Sequence, residues 1–346
     1  MIRLVFALSL VLLPMSASAE GEAETSYTVL DFDELEGWAE DDHFAALEVF
    51  RSTCADMNDP DWRVLCNVAS ATDDARGFFE LLFRPVVIGD GAEPLFTGYF
   101  EPELDGAPFR SGRYRYPIYA MPPEARLNRP WLTRRDILKS GVMDGRGLEI
   151  AWVDDPVELF FLQIQGSGRV RFPDGRHIRV GYGGSNGHDY RSIGKELVRR
   201  GLFTVHQVSA QVIKAWVRNN PMLGEELLLH NNSYVFFREV SEVPAEKGPL
   251  GAMNRSITAM RSIAVDPKYT PLGAPVWIEK KGETPLNRLM IAQDTGSAIK
   301  GAQRADIFYG TGDEAGRTAG GIKDTGRMVV LMPIQRAYAF APDWVQ

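Results

Sequence analysis

Two aspartates, Asp294 and Asp306, lie twelve residues apart in a segment whose residue types suit acid–base chemistry. The segment follows a short apolar run at 289–292, typical of a buried strand, and also contains Lys300 and Arg304. Asp306 has apolar neighbours, so burial on a strand would raise the pKa of its carboxyl and keep it protonated, as a general acid requires. We therefore predict that Asp306 is the catalytic acid. Asp294 would support it, by hydrogen bonds with nearby backbone or by sharing charge with Lys300.

An aspartic protease is the first alternative, because Asp294 begins an Asp-Thr-Gly triplet and Asp324 begins another. A protease dyad needs two such loops facing each other, each supported by strands and a core of its own. The thirty residues between the two triplets are too few to form a lobe. Glycosidic bond cleavage fits better, since it needs a carboxylic acid of raised pKa to protonate the leaving oxygen.

Two further segments carry amides, hydroxyls, glycines and an aromatic ring, which suit contacts with sugars. Gln163 and Gln165 alternate with apolar residues, so we predict a strand with one polar face that ends in a glycine-rich turn. From the local pattern alone, an ordinary strand end or a half-buried edge strand explains these segments equally well. The candidate sugar-binding residues are Thr97, Gly98, Tyr99, Gln165, Gly166, Ser167 and Gly168.

The rest of the chain predicts helices and short strands, over a length that suits two domains. Helices are predicted at 41–55, 62–83, 192–200 and 209–218. Strands are predicted at 95–102, 169–182 (as a hairpin), 234–238, 262–266, 275–279, 289–292 and 328–332. The last four strands are separated by glycine and proline, a pattern typical of a small β-barrel.

The N-terminus has the three parts of a secretory signal: Arg3, an apolar stretch at 4–15 and small residues at 16–19. We predict cleavage after Ala19, which leaves 327 residues (346 − 19) of exported protein. The apolar stretch is too short for a membrane anchor. A lipid anchor would need a cysteine at the cleavage point, and the first cysteine of the sequence is Cys54.

Charge and composition argue against several classes of partner and cofactor. The formal net charge is −8, whereas binding to nucleic-acid phosphates requires a basic face. The five histidines are scattered and form no metal-ligand pattern with the cysteines, so we expect neither a metal nor another cofactor. We expect Cys54 and Cys66 to pair as a disulfide in an oxidising compartment; the alternative is two buried thiols, and the spacing alone does not decide between the two.

Six ordered segments together resemble the membrane-bound lytic murein transglycosylase A family. They occur in the family's order and cover most of the chain from about residue 95 onward. The matching segments are FTGYFEPEL (96–104), FFLQIQGSGRV (160–170), GYGGSNGHDYRSIGKEL (181–197), NNSYVFFRE (231–239), SIAVDPKYTPLGAPVWIE (262–279) and DTGSAIKGAQRADIFYGTGDEAG (294–316).

The resemblance implies a mainly β fold with some α. It would consist of a double-psi β-barrel domain and an inserted second β-rich domain, with a groove for a glycan strand between them. Residues 28–107 and 244–346 would form the barrel, and residues 108–243 the insert.

The C-terminal segment resembles the three-aspartate domain, whose acids would be Asp266, Asp294 and Asp306. The family's catalytic acid falls on Asp306. The family's glycan contacts fall on Thr97, Tyr99, the loop from Gln165 to Gly168, and Lys300.

The implied reaction cleaves the β-1,4 bond between N-acetylmuramic acid and N-acetylglucosamine in peptidoglycan. Asp306 would give its proton to the glycosidic oxygen and then take one from the muramoyl C6 hydroxyl, which closes a 1,6-anhydro ring. One alternative is a non-catalytic peptidoglycan-binding scaffold. Another is a β-glucan hydrolase on the same barrel, with Glu101 or Glu103 as its second carboxylate.

The implied partners are the glycan strands of peptidoglycan and proteins of cell-wall synthesis, and we expect a monomer. The expected location is the periplasm, in association with the outer membrane or the cell wall. The sequence departs from the family in one respect, because its predicted signal site has no cysteine for a lipid anchor.

Overall fold

The computed structural model describes residues 25–57, 59–127, 129–244 and 247–340, so the predicted signal peptide lies outside the described residues. The strands are β1 (Ser26–Val29), β2 (Phe83–Gly89), β3 (Leu95–Glu101), β4 (Glu103–Ala107), β5 (Tyr116–Tyr119), β6 (Glu149–Val153), β7 (Gly168–Arg171), β8 (His177–Ser185), β9 (Val235–Glu239), β10 (Ser262–Val265), β11 (Pro275–Lys280), β12 (Leu286–Thr295), β13 (Arg304–Thr311), β14 (Lys323–Asp324) and β15 (Gly326–Pro333).

The helices between these strands are short. They are α1 (His43–Thr53), α2 (Pro60–Ala71), α3 (Ala75–Leu82), α4 (Pro123–Leu127), α5 (Arg134–Lys139), α6 (Pro156–Gln165), α7 (Ile193–Arg199), α8 (Ala210–Asn219), α9 (Pro221–Leu228), α10 (Gly312–Ala319) and α11 (Ile334–Phe340). Across the described ranges, no helix has both the length and the apolar character needed to cross a lipid bilayer.

The larger sheet has nine strands in the order β1-β2-β15-β11-β12-β10-β13-β3-β14. It joins three N-terminal strands to all the strands after residue 261, so the chain leaves this sheet after β3 and returns to it at β10. Every residue of β10 and β11 is buried, as expected for strands covered on both faces. Helices α1 to α3 pack against this sheet through an aromatic cluster of Phe50, Trp62, Phe78, Phe79 and Phe83.

The smaller sheet has six strands in the order β5-β6-β4-β7-β8-β9 and contains the middle of the chain. The two sheets, with helices around them, give the mainly β fold with some α that the sequence predicts. Only Pro102 separates β3 of the larger sheet from β4 of the smaller one, and a proline cannot donate a hydrogen bond to a continuing ladder. The change of sheet therefore occurs at residue 102, five residues before the predicted end of the first barrel segment.

The strand predicted around Gln163 and Gln165 is wrong, because these residues lie on helix α6. Asp155 caps this helix by accepting hydrogen bonds from the backbone N–H groups of residues 157 and 158, and Pro156 occupies its first turn. Gly166 ends it in the left-handed conformation, with a φ of 79°. These capping signals outweigh an alternation that extends over only four residues.

The helix predicted at 62–83 is in fact two helices, α2 and α3. The chain is extended at Thr72, which ends α2. Asp74 then caps α3 by accepting a hydrogen bond from the backbone N–H of Gly77. An aspartate at a cap competes with the helix interior, and this break could have been predicted from the sequence.

The disulfide between Cys54 and Cys66 is present and links the end of α1 to α2. We expect the double variant Cys54→Ser/Cys66→Ser to lose about 3 kcal/mol of unfolding free energy, because the cross-link closes a short loop and restricts the unfolded chain. Urea denaturation measures this loss. The wild-type protein under reducing conditions should unfold at the same urea midpoint as the variant, and a variant as stable as the oxidised protein would contradict the prediction.

Candidate active site

A groove of about 1220 Å³ lies between the two sheets. This volume exceeds the roughly 300–1,000 Å³ of typical small-molecule pockets, so the groove suits an extended ligand. The larger sheet contributes Gly98, Tyr99, Ala264, Asp294 and Asp306 to its lining. The smaller sheet and the helices that pack on it contribute Arg134, Gln163, Gln165, Tyr182, Ser185, Val235 and Arg238.

The two aspartates of the groove belong to a row of paired residues across four strands. Asp294 on β12 and Asp306 on β13 both pair with Ala264 on β10, and Asp306 also pairs with Thr97 on β3. Two strand spacings place the Cα atoms of the aspartates roughly 10 Å apart. Because the residue between them is an alanine, space remains above it for a ligand that contacts both carboxyls.

The carboxyl of Asp306 accepts a hydrogen bond of 2.5 Å from the hydroxyl of Thr97. That hydroxyl in turn accepts a hydrogen bond of 2.8 Å from the guanidinium of Arg304. Burial raises the pKa of Asp306, and the hydrogen bond from Thr97 and the charge of Arg304 oppose this rise only in part. Asp306 therefore has a raised pKa, as a general acid requires, and one direct donor, the Thr97 hydroxyl, which is itself held by Arg304.

Asp294 is held by three hydrogen bonds. Its carboxyl accepts from the hydroxyl of Tyr99 at 3.0 Å, and from the backbone N–H groups of Ala252 and Thr295 at 2.9 Å each. Burial raises the pKa of Asp294 to about 6, although these hydrogen bonds favour the charged form. Burial and the charge of Asp294 raise the pKa of Tyr99 well above its usual value, so its hydroxyl keeps its proton and remains a donor.

Replacement of Tyr99 by phenylalanine is expected to raise the pKa of Asp294 above its value of about 6. The change removes a hydrogen bond that stabilises the carboxylate and leaves the burial that opposes ionisation. A ¹³C NMR titration of the Asp294 carboxyl measures the shift. Tyr182→Phe is the matched control, since Tyr182 lines the same groove but is 56% exposed. An unchanged or lower pKa in Tyr99→Phe would refute this account of the site.

Seven of the residues predicted for the site line the groove together. They are Gly98, Tyr99, Gln165, Gly166, Ser167, Asp294 and Asp306. Thr97 is not among the lining residues, but its hydroxyl contacts Asp306 directly. Gln165 also connects the two sheets, because its side-chain oxygen accepts a hydrogen bond from the backbone N–H of Phe100 at 3.3 Å.

Two predicted site residues lie elsewhere. A Cβ atom at Gly168 would come within 2.9 Å of the backbone oxygen of Pro102 and 2.4 Å of a Leu162 side-chain atom, so this position favours glycine because β7 passes close to the backbone at residue 102. Lys300 is outside the groove lining, and its side chain is 65% exposed. Its ammonium faces Asp266 at 3.9 Å, so the predicted sharing of charge with Asp294 is wrong.

The third aspartate, Asp266, organises the backbone that leads into β13. Its carboxyl accepts hydrogen bonds from the backbone N–H groups of Lys268 at 3.1 Å and Gly301 at 3.0 Å. It is buried and is not among the residues that line the groove. Asp266 therefore contributes to the site by fixing the loop before Asp306.

The acids that the alternative functions require are committed to other contacts. Glu101 is fully buried and bonded to Arg169, Arg179 and Thr311. Glu103 forms an ion pair with Arg171 at 3.0 Å. Neither glutamate lines the groove. The protease pairing is also wrong, because Asp324 accepts a hydrogen bond of 2.5 Å from buried Lys280 rather than facing Asp294.

Several groove residues could not be singled out from the sequence. His188, Asn231 and Ser233 lie in segments that the resemblance covers, but no local pattern marks them individually. Arg134 lies in a short polar helix, where a charged residue is usually a solvated one. Its burial depends on contacts with residues about 100 positions further along the chain.

Comparison with known proteins identifies the family to which this fold and site are similar. Two family models match the chain, the MltA specific insert domain at residues 95–238 and the 3D domain at residues 261–332. Membrane-bound lytic murein transglycosylase A of Vibrio cholerae is 34% identical over 264 residues, which cover 72% of this chain and 69% of the relative.

Solved structures extend the likeness to most of the chain. The crystal structure of MltA from Neisseria gonorrhoeae is 36% identical, covers 91% of this chain and 94% of its own, and superposes with a TM-score of 0.78. The structure of E. coli MltA with bound chitohexaose is 27% identical, covers 89% of this chain and 94% of its own, and has a TM-score of 0.72.

The fold and the groove are thus those of a lytic transglycosylase, an enzyme class that acts on murein. The chain belongs to the membrane-bound lytic murein transglycosylase A family.

Proposed function

We propose that this enzyme cleaves the β-1,4 bond between N-acetylmuramic acid and N-acetylglucosamine and leaves a 1,6-anhydromuramoyl end. The observation that carries the proposal is the half-buried carboxyl of Asp306, whose pKa is raised, in a groove whose volume suits an extended ligand. Among the described residues that line this groove, the acids are Asp189, Asp294 and Asp306. Asp306 alone would suffice as acid and base, because the nucleophile is the C6 hydroxyl of the substrate itself.

The proposed reaction uses Asp306 twice. Its protonated carboxyl donates to the glycosidic oxygen as the bond to the muramoyl C1 breaks. The resulting carboxylate is stabilised by the Thr97 hydroxyl, which Arg304 polarises. The carboxylate then takes the proton of the muramoyl C6 hydroxyl as the C6 oxygen attacks C1, which restores the acid and consumes no water.

The remaining groove residues would hold the strand over Asp306. The Gln165–Ser167 loop and Tyr99 present amide, hydroxyl and aromatic groups on opposite sides of the groove. E. coli MltA binds chitohexaose, a β-1,4-linked chain of sugars, and this supports a glycan as the ligand here. Asp294 would act as a supporting group, kept in place by Tyr99 and Ala252.

We infer that catalysis and substrate binding are assigned to two different domains. Residues 28–102 and 244–346, which contain the nine-stranded sheet except the first two residues of β1, would form the catalytic barrel, and the segment between them the substrate-binding insert. The relatives are called membrane-bound, which supports a location in the cell envelope. We propose a periplasmic enzyme that acts as a monomer on peptidoglycan, beside proteins of cell-wall synthesis.

The masses of released muropeptides test the proposed reaction. Digestion of purified sacculi should give products lighter by one water than the corresponding hydrolysis products, with ends that borohydride does not reduce. Reducible ends would show a hydrolase instead. Binding to sacculi without any released product would show a non-catalytic scaffold.

A further inference from the structure

Arg134 is a buried cation in the wall of the groove. It is the first residue of α5, is only 4% exposed, and lines the groove on the side of the smaller sheet. Its guanidinium donates to the side-chain oxygen of Gln163 at 2.6 Å and to the backbone carbonyls of Asn231 and Ser233 at 2.7–3.1 Å. All of these acceptors are uncharged.

The two other buried arginines in the described residues are paired with carboxylates. Arg179, 6% exposed, contacts Glu101 at 2.7 Å. Arg261, 8% exposed, contacts Asp41 at 2.7 Å. A buried charge is costly unless an opposite charge compensates it, so these pairs are the expected arrangement. Arg134 differs from both in that its hydrogen-bond acceptors are neutral.

The surroundings of Arg134 keep its side chain charged and in place. Its guanidinium lies over the rings of Phe160 and Tyr234, at 4.6 and 5.1 Å from their centres. Burial lowers the pKa of Arg134 to about 10, so the side chain remains protonated at neutral pH. Its bonds occupy one hydrogen on Nε and one on each terminal nitrogen, which leaves two of the five N–H groups for a ligand.

The charges of the groove are divided between its two walls. The larger sheet contributes the carboxyls of Asp294 and Asp306. The opposite wall contributes Arg134 and Arg238, of which Arg238 is paired with Glu242 at 2.7 Å, and the exposed acid Asp189. Of these two arginines, Arg134 is the one whose hydrogen-bond acceptors are all neutral, so it is the uncompensated cation that a glycan strand would meet on the side away from the catalytic acid.

We propose that Arg134 binds a carboxylate of the substrate and makes the groove prefer acidic muramoyl glycans over neutral chitin-type glycans. This inference rests on the proposed function, because it concerns the same groove. In strands without peptides the carboxylate would be that of the lactyl group, and in strands with peptides it would belong to the stem. Guanidinium–carboxylate recognition by paired hydrogen bonds is the geometry that arginine favours.

Binding measured in the Asp306→Asn background, which prevents turnover, tests the proposal. The ligands are chitohexaose, glycan strands freed of peptides, the same strands with their carboxyls amidated, and strands with intact stem peptides. Amidation should weaken binding to the Arg134 protein about ten- to hundred-fold, the effect of one charge-assisted hydrogen-bonded pair. Arg134→Met should bind native and amidated strands equally and keep the chitohexaose affinity. If Arg134→Met weakens binding of the peptide-free strands, the carboxylate is that of the lactyl group. If it weakens binding of the strands with stem peptides, the carboxylate belongs to the stem.

Arg135→Met is the matched control, because Arg135 is adjacent, side-chain exposed and paired with Glu226 rather than facing the groove. Equal loss of acidic and neutral ligands in Arg134→Met would show that Arg134 only holds the loop carbonyls, and would overturn the proposal. The amidation comparison needs no change at Arg134, so equal affinities there overturn the proposal even if Arg134→Met misfolds. A different result would contradict the proposed function. In that case the wild-type enzyme would release no anhydro products from sacculi, whether or not it prefers ligands with a carboxylate.

Discussion

Replacement of Asp306 by asparagine is expected to reduce the release of anhydro-muropeptides about 10²–10⁴-fold, the usual contribution of a general acid–base group. The amide keeps the shape of the side chain and can still accept from Thr97, but it has no acidic proton to give to the glycosidic oxygen. Because this half-buried carboxyl has a raised pKa, loss of its charge should not destabilise the fold. Affinity for chitohexaose should therefore be nearly unchanged, which separates a chemical defect from a binding defect.

Asp313→Asn provides the control for this variant. Asp313 is an exposed acid in the first turn of α10, directly after the strand that carries Asp306. It should leave the rate unchanged. Retained activity in Asp306→Asn would remove Asp306 from the mechanism, and Asp294 would then be the acid to examine, since the pKa of Asp294 is also raised, to about 6.

The strand that carries Asp306 could be predicted from the sequence because its signals are local. An apolar strand, a glycine turn and an aspartate between apolar neighbours lie within twenty residues, and the structure places Asp306 on β13 as expected. The contact of Thr97 with Asp306 could not be predicted from local signals. This contact spans 209 positions of sequence, and it depends on β3 pairing with β13 in parallel.

The errors in the prediction have two physical causes. Around Gln165, a short polar–apolar alternation suggested a strand, whereas the capping residues Asp155 and Gly166 determine a helix. At Lys300, sequence proximity to Asp294 suggested an ion pair, but the loop after β12 places the Lys300 ammonium beside Asp266, whereas the Asp294 carboxyl bonds to Tyr99. Distance along the chain does not determine which way a side chain faces once the strand has ended and a loop has begun.

Glu101 links the larger sheet to the smaller one and so fixes the groove between them. It ends β3, the last strand of the larger sheet before the chain crosses over, and it bonds to Arg169 on β7 and Arg179 on β8 of the smaller sheet. Both arginines also donate to the carbonyl of Lys247, in the segment that returns to the larger sheet. The outgoing and returning crossings thus meet at one buried carboxylate, so the relative position of Tyr99 and the Gln165 loop depends on it.

Replacement of Glu101 by glutamine is therefore expected to destabilise the protein by about 3–5 kcal/mol, the effect of leaving buried arginine charges without their partner. Urea denaturation measures the loss, and activity on sacculi should fall with it because the groove is no longer held at a fixed width. Glu103→Gln is the matched control two residues further on. Its ion pair with Arg171, whose side chain is 52% exposed, should contribute less than about 1 kcal/mol. If both variants lost stability equally, Glu101 would be an ordinary ion-pair residue, and the groove would have to be fixed by the aromatic and backbone contacts around it.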